Sequence, residues 1–231
     1  MKISFSGNPS TLERIKKENL EECITTNNSI CNNSDIIFLT LKPFDTGILS
    51  TLNFPDHSSI VSCIAGYNIA KLSMMTKRNV TRMMTSSPMT IGSGKGICAI
   101  YNEDSLIESL LLKIGLKIFN LSEEYLFNIF TAAVCLPGAF LQLEIDGKTY
   151  SDSELENMYN VEFKLIGSLI KWAHSVTPQN LSPDEQKNYI IKMSTKGGIA
   201  EAIINALKDG LTLVEAFKVG ISRSNEIVSG S

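Results

Sequence analysis

The sequence predicts an α/β half followed by an all-helical half. In the first half, short apolar runs are continuous rather than alternating, which indicates strands buried on both faces of a mostly parallel sheet. From Ser122 onward the strand signals stop, and helical patterns follow one another between turns such as Asp146-Gly147 and Pro178. We therefore predict an α/β domain over residues 1–122 and an all-helical domain over residues 123–231.

The strongest strand signal is IIFLTL, which begins at Ile36 and ends before Lys42-Pro43. A second apolar run, SIVSCIAG, ends at Gly66, and the segment between the two runs can hold a crossover helix ending near Pro55. Further strands are predicted for residues 3–5, 80–84, 97–101 and 116–119, with helices over residues 12–20 and 105–114. Strands alternating with helices in this way indicate a parallel sheet.

Five long helices are predicted for the second half: residues 123–144, 153–176, 184–193, 198–207 and 214–227. The first of them begins with Ser122-Glu-Glu, a pattern typical of a helix start.

Composition limits the classes of function. The net charge of −3 and the 19% of charged residues give no basic surface for nucleic acid. The five cysteines and two histidines have no ligand spacing, so we predict no metal site and reduced thiols in a cytoplasmic protein. No apolar run approaches the ~18 residues of a membrane span, so none is predicted.

Three glycine-containing segments could in principle hold an anion. Gly92-Ser-Gly-Lys-Gly96 departs from the phosphate-binding pattern because Gly96 follows the lysine where Ser or Thr is required, which favours a turn. Gly7 stands alone where a dinucleotide loop has three glycines. Thr195-Lys-Gly-Gly198 is either a turn between helices or a set of amides facing an anion. No catalytic triad, carboxylate pair or other catalytic residue can be assigned.

Several segments, taken in order, resemble the pyrroline-5-carboxylate reductases. They are DIIFLTLKP from Asp35, IVSCIAG from Ile60, TRMMTSSPM from Thr81, Leu136-Pro137, TKGG from Thr195 and RSNE from Arg223. The family has similar segments of the forms D-V-V-x-L-A-V-K-P, V-S-I-A-A-G, R-x-M-P-N-T-P, S-P-G-G-T-T and R-S-x-E-L. The succession covers nearly the whole chain.

The resemblance implies a Rossmann-like domain followed by a helical domain that forms a homodimer. In the family, NAD or NADP in its reduced form delivers hydride to the cyclic imine pyrroline-5-carboxylate and gives proline. By resemblance, Leu41, Lys42 and Pro43 would line the cofactor, with Cys63, Ala65 and Gly66 near its ribose and nicotinamide. The substrate, a cyclic imino acid, would meet the residues at the remaining family positions, Ser86, Thr195, Gly197 and Gly198.

The sequence departs from the family pattern at positions that the resemblance assigns to cofactor and substrate binding. The distance from Ile3 to Lys42 fits the family's second strand, so we expect a truncated Rossmann-like domain without the first strand, glycine loop and first helix. Ser6, Asn8 and Ser10 would then lie at the adenosine end of the cofactor. Apolar residues replace family hydroxyls at two further places, residues 133–136 and 199–200, and Ser86 stands where the family has Asn.

Three functions are therefore open. The first is a divergent family member whose ordinary reductase activity is impaired, lost or repurposed. The second is an active NAD(P)H-dependent imine reductase of proline biosynthesis with an atypical cofactor site. The third is a non-catalytic dimeric binding or scaffold protein.

Overall fold

The computed structural model describes residues 2–229, apart from the side chains of Pro43, Phe44, Val228 and Ser229. One predicted cofactor residue, Pro43, is thus described by its backbone alone. Five strands form one sheet in sequence order: β1 (Ile36–Leu39), β2 (Ser59–Ser62), β3 (Val80–Thr85), β4 (Ile97–Tyr101) and β5 (Lys117–Asn120). The pairs β1–β2, β2–β3 and β4–β5 are parallel.

Helices alternate with these strands along the chain and follow the last of them. The first part of the chain contains α1 (Pro9–Lys17), α2 (Asn27–Asn33), α3 (Ile69–Thr76), α4 (Pro88–Gly92) and α5 (Ser105–Lys113). After β5 come α6 (Leu126–Ala133), α7 (Leu136–Ile145), α8 (Asp152–Tyr159), α9 (Ile166–Val176), α10 (Pro183–Met193), α11 (Ile199–Lys208) and α12 (Leu213–Ser229). This arrangement confirms the predicted fold class, a mostly parallel α/β layer followed by helices.

Two of the predicted long helices are each broken in two. The helix predicted over residues 123–144 is interrupted at Cys135, because Pro137 lies in the first turn of α7 and supplies no N–H to continue α6. The helix predicted over residues 153–176 is interrupted between α8 and α9, where the chain turns so that Phe163 is buried.

Two predictions in the first half are also corrected. The crossover between β1 and β2 is a 3₁₀ helix, Pro43–Thr51, because its sequence contains Gly47 and two threonines, which are poor α-helix formers. The predicted strand at residues 3–5 contributes one parallel bridge, between Phe5 and Ile24, and does not belong to the five-stranded sheet.

The chain divides into two compact units. The first unit contains the residues up to Arg82 together with Asn102–Ile107, and the second contains Met83–Tyr101 and the residues from Glu108 onward. In the first unit a core forms around β1, β2 and α3, with Ile60, Ile64 and Leu72 almost completely buried. In the second, the largest core includes Phe130 and Phe217, which are fully buried. The domain boundary predicted near residue 122 stays a prediction.

No single helix among residues 2–229 is long and apolar enough to cross a membrane. The helices α6 and α7 reach the required length and composition only as a pair, across a bend of 44°, and most of their residues are buried.

Candidate functional site

Two loops meet at the carboxyl ends of β1 and β2, and we call them the strand-end loops: residues 41–43 after β1 and residues 63–66 after β2. Because the strands are parallel, both loops leave the sheet at the same edge. The Cys63 N–H donates a hydrogen bond to the Leu39 carbonyl over 2.9 Å, which extends the pairing to the start of the second loop. The structure thus brings together the two sets of predicted cofactor residues at the carboxyl ends of two neighbouring parallel strands.

A buried hydrogen bond joins the two segments that follow the strand-end loops. The Thr46 hydroxyl, in the 3₁₀ helix after the first loop, donates to the Tyr67 hydroxyl, directly after the second loop, over 2.7 Å. The ammonium group of Lys71 lies 4.0 Å from the centre of the Tyr67 ring. Sequence reasoning missed Thr46, Tyr67 and Lys71, and the one available signal was an aromatic residue adjoining Gly66.

The second strand-end loop presents backbone donors rather than acid–base groups. Gly66 has a φ of 81°, a left-handed conformation that favours glycine. Among the described residues, the Ala65 and Gly66 amides donate no hydrogen bond within the chain. Burial raises the pKa of the Cys63 thiol to about 11, so this thiol is not a nucleophile at neutral pH. The loop can therefore position a ligand through its backbone N–H groups, but it supplies no thiolate nucleophile at neutral pH.

The polar residues predicted at the adenosine end are largely engaged with the chain itself. The Ser6 hydroxyl donates to the Asn27 side-chain oxygen, and the Asn8 side-chain oxygen accepts the Thr11 N–H over 3.0 Å as the N-cap of α1. Ser10 is exposed on α1. A Cβ at Gly7 would lie 2.8 Å from the Thr11 side chain, so packing against Thr11 accounts for this glycine without any ligand.

The two ends of a nicotinamide cofactor, its nicotinamide ribose and its pyrophosphate, make different demands on the described residues. The strand-end loops could hold the nicotinamide and its ribose, the part that would supply hydride. A pyrophosphate cradle requires a loop with three glycines, of the form G-x-G-x-x-G, leading from a sheet strand into a helix, and the loop after β2 has Gly66 alone. Within residues 2–229, β1 is an edge strand, and the segment leading into α1 forms one bridge outside the sheet. The described residues therefore offer no cradle.

Ser86, predicted to meet substrate, is only 3% exposed and lies in a hydroxyl network. Its oxygen accepts the Ile97 N–H over 3.0 Å and lies 2.8 Å from the Thr90 hydroxyl. The Thr90 hydroxyl can donate its single proton to Ser86 or to the Ser87 carbonyl, which also lies 2.8 Å away. The polar capacity of Ser86 is thus used inside the protein, and its substrate role stays a prediction.

The predicted substrate residues Thr195, Gly197 and Gly198 form an exposed turn before α11, which we call the α11 turn (residues 195–198). The Gly198 N–H donates to the Thr195 carbonyl over 2.8 Å, and the Gly197 N–H donates to the Glu201 carboxylate over 2.6 Å. Gly197 has a φ of 71°, so the turn depends on glycine at this position.

The α11 turn also joins a second motif singled out in the sequence. The Arg223 Nε donates to the Gly197 carbonyl over 2.8 Å, and another nitrogen of the same guanidinium contacts Glu226 at 2.9 Å. The next residues of that motif contact α6, because the Asn128 side chain accepts a hydrogen bond from Ser224 and donates one to Asn225. The structure therefore brings TKGG and RSNE together.

The glycine-rich segment at residues 92–96 is a turn between α4 and β4. Gly94 has a φ of 72°, and a Cβ at Gly96 would lie 2.6 Å from Leu116, so conformation and packing account for both glycines. The Lys95 ammonium donates to the Ser175 carbonyl over 2.9 Å, and the Trp172 indole donates to the Lys95 carbonyl over 2.8 Å. These contacts attach the turn to α9 and use the lysine that a phosphate site would need.

The apolar residues that replace family hydroxyls belong to the core. Ala133 and Leu136, at the break between α6 and α7, are fully buried. Ile199 packs against the core of the second unit, where a Cβ added to Gly220 would lie 3.4 Å from its side chain. No group of three or more His, Cys, Asp or Glu side chains among the described residues could hold a metal ion.

The sheet and the helices after it define a Rossmann-like layer joined to a helical part. No protein-family model matches the sequence, and no curated protein matches it. Three solved structures with TM-scores above 0.5 are similar in fold, and each is a pyrroline carboxylate reductase.

The reductase of Streptococcus pyogenes is 18% identical with a TM-score of 0.57, and the match covers 97% of this chain and 88% of that one. The Coxiella burnetii reductase is 15% identical with a TM-score of 0.53, covering 93% and 84%. The Plasmodium falciparum reductase with NADP bound is 19% identical with a TM-score of 0.52, covering 89% and 82%. At these identities the comparisons establish the fold that this chain shares with the reductases.

Proposed function

We propose that this chain is a divergent member of the pyrroline-5-carboxylate reductase family in which ordinary NAD(P)H-dependent imine reduction is impaired, lost or repurposed. The proposal rests on a contrast between the strand-end loops and the segment before α1. The strand-end loops are assembled at the carboxyl ends of β1 and β2, whereas Phe5, before α1, forms one bridge outside the sheet. The fold shared with three reductases and the order of the family-like motifs support the family assignment.

Without a pyrophosphate cradle, the affinity for a nicotinamide cofactor should be low. A pyrophosphate is held in Rossmann folds by backbone N–H groups and the positive end of a helix. The α1 helix begins at Pro9, which has no N–H, and the Asn8 side chain occupies the Thr11 amide. Contacts at the strand-end loops alone would leave the two phosphate charges uncompensated, so weak cofactor binding follows.

Titration of the purified protein with NADPH and with NADH by calorimetry tests the proposal. We expect no binding at micromolar concentrations of either cofactor. Micromolar binding together with conversion of pyrroline-5-carboxylate to proline would contradict the impaired-reductase proposal and favour the active reductase. In that case Lys42→Ala and Ser10→Ala should weaken binding, with Lys77→Ala, at the far end of α3, as a matched control.

The third possible function, a non-catalytic dimeric binding or scaffold protein, also involves a dimer formed through the helical part. Large apolar side chains are exposed in that half, among them Val161 at 92% and Ile191 at 68%. Single exposed apolar side chains are ordinary on monomers, so the dimer proposal rests on the resemblance to the reductases. We therefore also propose a homodimer formed through the helical part. Size-exclusion chromatography with light scattering tests it, and a monomer at all concentrations would contradict it.

A further inference from the structure

We propose that Tyr150 and His174 form a flat binding surface for the guanidinium group of an arginine side chain in a partner polypeptide. This surface goes beyond the proposed function, because it involves neither the strand-end loops nor the α11 turn. Both rings belong to the second unit, Tyr150 before α8 and His174 on α9. The surface results from the way in which both rings pack on Phe140 of α7.

The two rings lie side by side on one face of Phe140. The Tyr150 ring is parallel to Phe140 within 5° at a centroid distance of 5.0 Å, and the His174 ring within 11° at 4.4 Å. Rings on opposite faces of Phe140 would be separated by at least about 7 Å, twice the contact distance of carbon atoms, whereas the Tyr150 and His174 centroids are 6.3 Å apart. Since their planes also agree within 9°, the two rings present one flat outer face.

The outer face of the two rings is open to solvent. Tyr150 is 36% exposed and the His174 side chain 41%, whereas Phe140 beneath them is 4% exposed. No other aromatic ring and no cationic group of the described residues lies over either ring. Small molecules bind in concave pockets, while tyrosine and arginine are enriched where polypeptides meet, so an open aromatic surface suits a polypeptide.

Asp152 orients the His174 ring and supplies negative charge at its edge. Its Oδ2 lies 2.7 Å from the His174 Nε2, and because an ionised carboxylate only accepts, Nε2 carries the proton of this hydrogen bond. The second oxygen, Oδ1, is buried and has no hydrogen-bond partner among the described residues. The Asp152 side chain is 41% exposed, so a cation can approach this carboxylate from solvent.

The charges around the two rings favour a cation. Burial raises the pKa of the Tyr150 hydroxyl, and the negative charges of Asp152 and Glu144 raise it further. A guanidinium is a planar cation that stacks on aromatic faces while its N–H groups pair with a carboxylate. It therefore matches both the flat rings and the carboxylate at their edge, whereas an anionic ligand would be repelled.

The nearest lysines in the sequence leave the Asp152 carboxylate without a cation. The Lys148 ammonium, two residues before Tyr150, donates to the Leu207 carbonyl over 2.8 Å. Lys171, one turn before His174 on α9, makes no ion pair with Asp152 within the part of the chain that the structure describes. The negative charge of Asp152 is thus met by one imidazole N–H.

The test uses three capped peptides: acetyl-Gly-Arg-Gly-amide and its counterparts with citrulline or lysine in place of arginine. Citrulline keeps the planar group without the charge, and lysine keeps the charge without the planar group. Binding to the full chain is followed by NMR of the Tyr150 and His174 ring protons and of the peptide methylene next to the guanidinium, which a ring face shifts upfield. We expect the arginine peptide to bind at least roughly fivefold more tightly than either counterpart.

Variants separate the contribution of the ring from that of the charge. Tyr150→Leu and Asp152→Asn should each weaken binding of the arginine peptide roughly threefold to fivefold. Tyr150→Phe keeps the ring and should bind like the unsubstituted protein, which keeps the test decisive if the leucine variant is poorly folded. Tyr125→Leu and Asp184→Asn are matched controls with no expected change, since both side chains are exposed and lie outside the ring stack.

Equal affinity for the arginine and citrulline peptides would overturn the proposal, as would unchanged binding of the arginine peptide by folded Tyr150→Leu. Binding without an upfield shift of the arginine methylene would also overturn it, because rings with a merely structural role do not stack on a ligand. If concentrating the protein alone moves the same ring protons as the arginine peptide does, a second copy of this chain is the occupant and the assignment to a partner polypeptide is wrong. None of these readouts involves NADPH, so the proposed function is tested separately by cofactor titration.

Discussion

The strand-end loops and the α11 turn each contain a glycine with positive φ, Gly66 and Gly197, yet their backbones are held in opposite ways. The buried Thr46–Tyr67 hydrogen bond joins the segments that follow the two strand-end loops. The Gly66 N–H donates no hydrogen bond to any described residue. In the α11 turn, the N–H and the carbonyl of Gly197 are both engaged by side chains. The second strand-end loop therefore keeps a backbone N–H that a ligand can use. In the α11 turn, the N–H and the carbonyl of Gly197 are already hydrogen-bonded to side chains.

The largest expected effect is a slow reaction of the Cys63 thiol, which lies in the second strand-end loop. Burial raises the pKa of this thiol from 9.0 to about 11, so at pH 8 its thiolate fraction should be roughly a hundredfold below that of an ordinary cysteine. Because a thiolate of higher pKa is also more nucleophilic, alkylation of Cys63 by iodoacetamide, read by mass spectrometry, should be roughly tenfold slower in the folded protein than in the denatured protein. Modification of Cys63 at the same rate in the folded and denatured protein would contradict the desolvation of this thiol.

The hydrogen bond behind the strand-end loops should contribute measurably to stability. Thr46→Val leaves the Tyr67 hydroxyl without this buried partner, and we expect the free energy of unfolding to fall by about 1–3 kcal/mol. Urea denaturation measures it. The double variant with Tyr67→Phe should lose less than the sum of the two single variants, since both remove the same contact. Additive losses would show that the contact does not support the loops.

Substitution of the two positive-φ glycines compares the regions directly. Gly66→Ala and Gly197→Ala should each cost about 1–2 kcal/mol, because an L-residue is strained in the left-handed conformation. Gly47→Ala is the matched control: a Cβ there meets nothing within 4 Å, so the unfolding free energy should change little. A loss at Gly47 as large as at Gly66 would mean that the φ angles do not explain the glycines.

The smallest effect is a pH dependence from the helix caps that flank α11. Hydrogen bonds from Ser182 lower the pKa of Glu185, and those from Thr212 lower the pKa of Glu215. Because the folded pKa lies below the unfolded value of 4.5, this stabilisation is present above that value and is lost as pH falls through the lowered pKa. Unfolding measured along a pH series should show a weaker acid dependence in Glu185→Gln. An unchanged dependence would contradict the contribution of this cap.

The sequence predicts the sheet better than the contacts at its edge. Continuous apolar runs at Ile36, Ser59 and Ile97 predict strands that the structure contains. The predicted burial on both faces holds for β2 and β4, but it is wrong for β1, which lies at the side of the sheet and exposes Phe38. The breaks at Cys135 and Phe163 were missed, because helical periodicity continues across a turn whose apolar residues remain buried.

The site is predictable only in part. The order of strands places residues 41–43 and 63–66 at one edge, so their meeting could be predicted from the sequence. The Thr46–Tyr67 and Glu201–Gly197 contacts could not, because they depend on side-chain positions that no local pattern encodes. Ser86 matches a family position in sequence, but only the structure reveals that its hydroxyl is buried and engaged.

The most direct test of the central claim is NADPH oxidation by the full-length protein in the presence of pyrroline-5-carboxylate, followed together with proline formation. We expect no proline above the uncatalysed background, because the described residues offer no cradle for the pyrophosphate and the Glu201 carboxylate already accepts the Gly197 N–H. Stoichiometric conversion of NADPH and pyrroline-5-carboxylate to proline at enzymatic rates would contradict it and identify an active reductase.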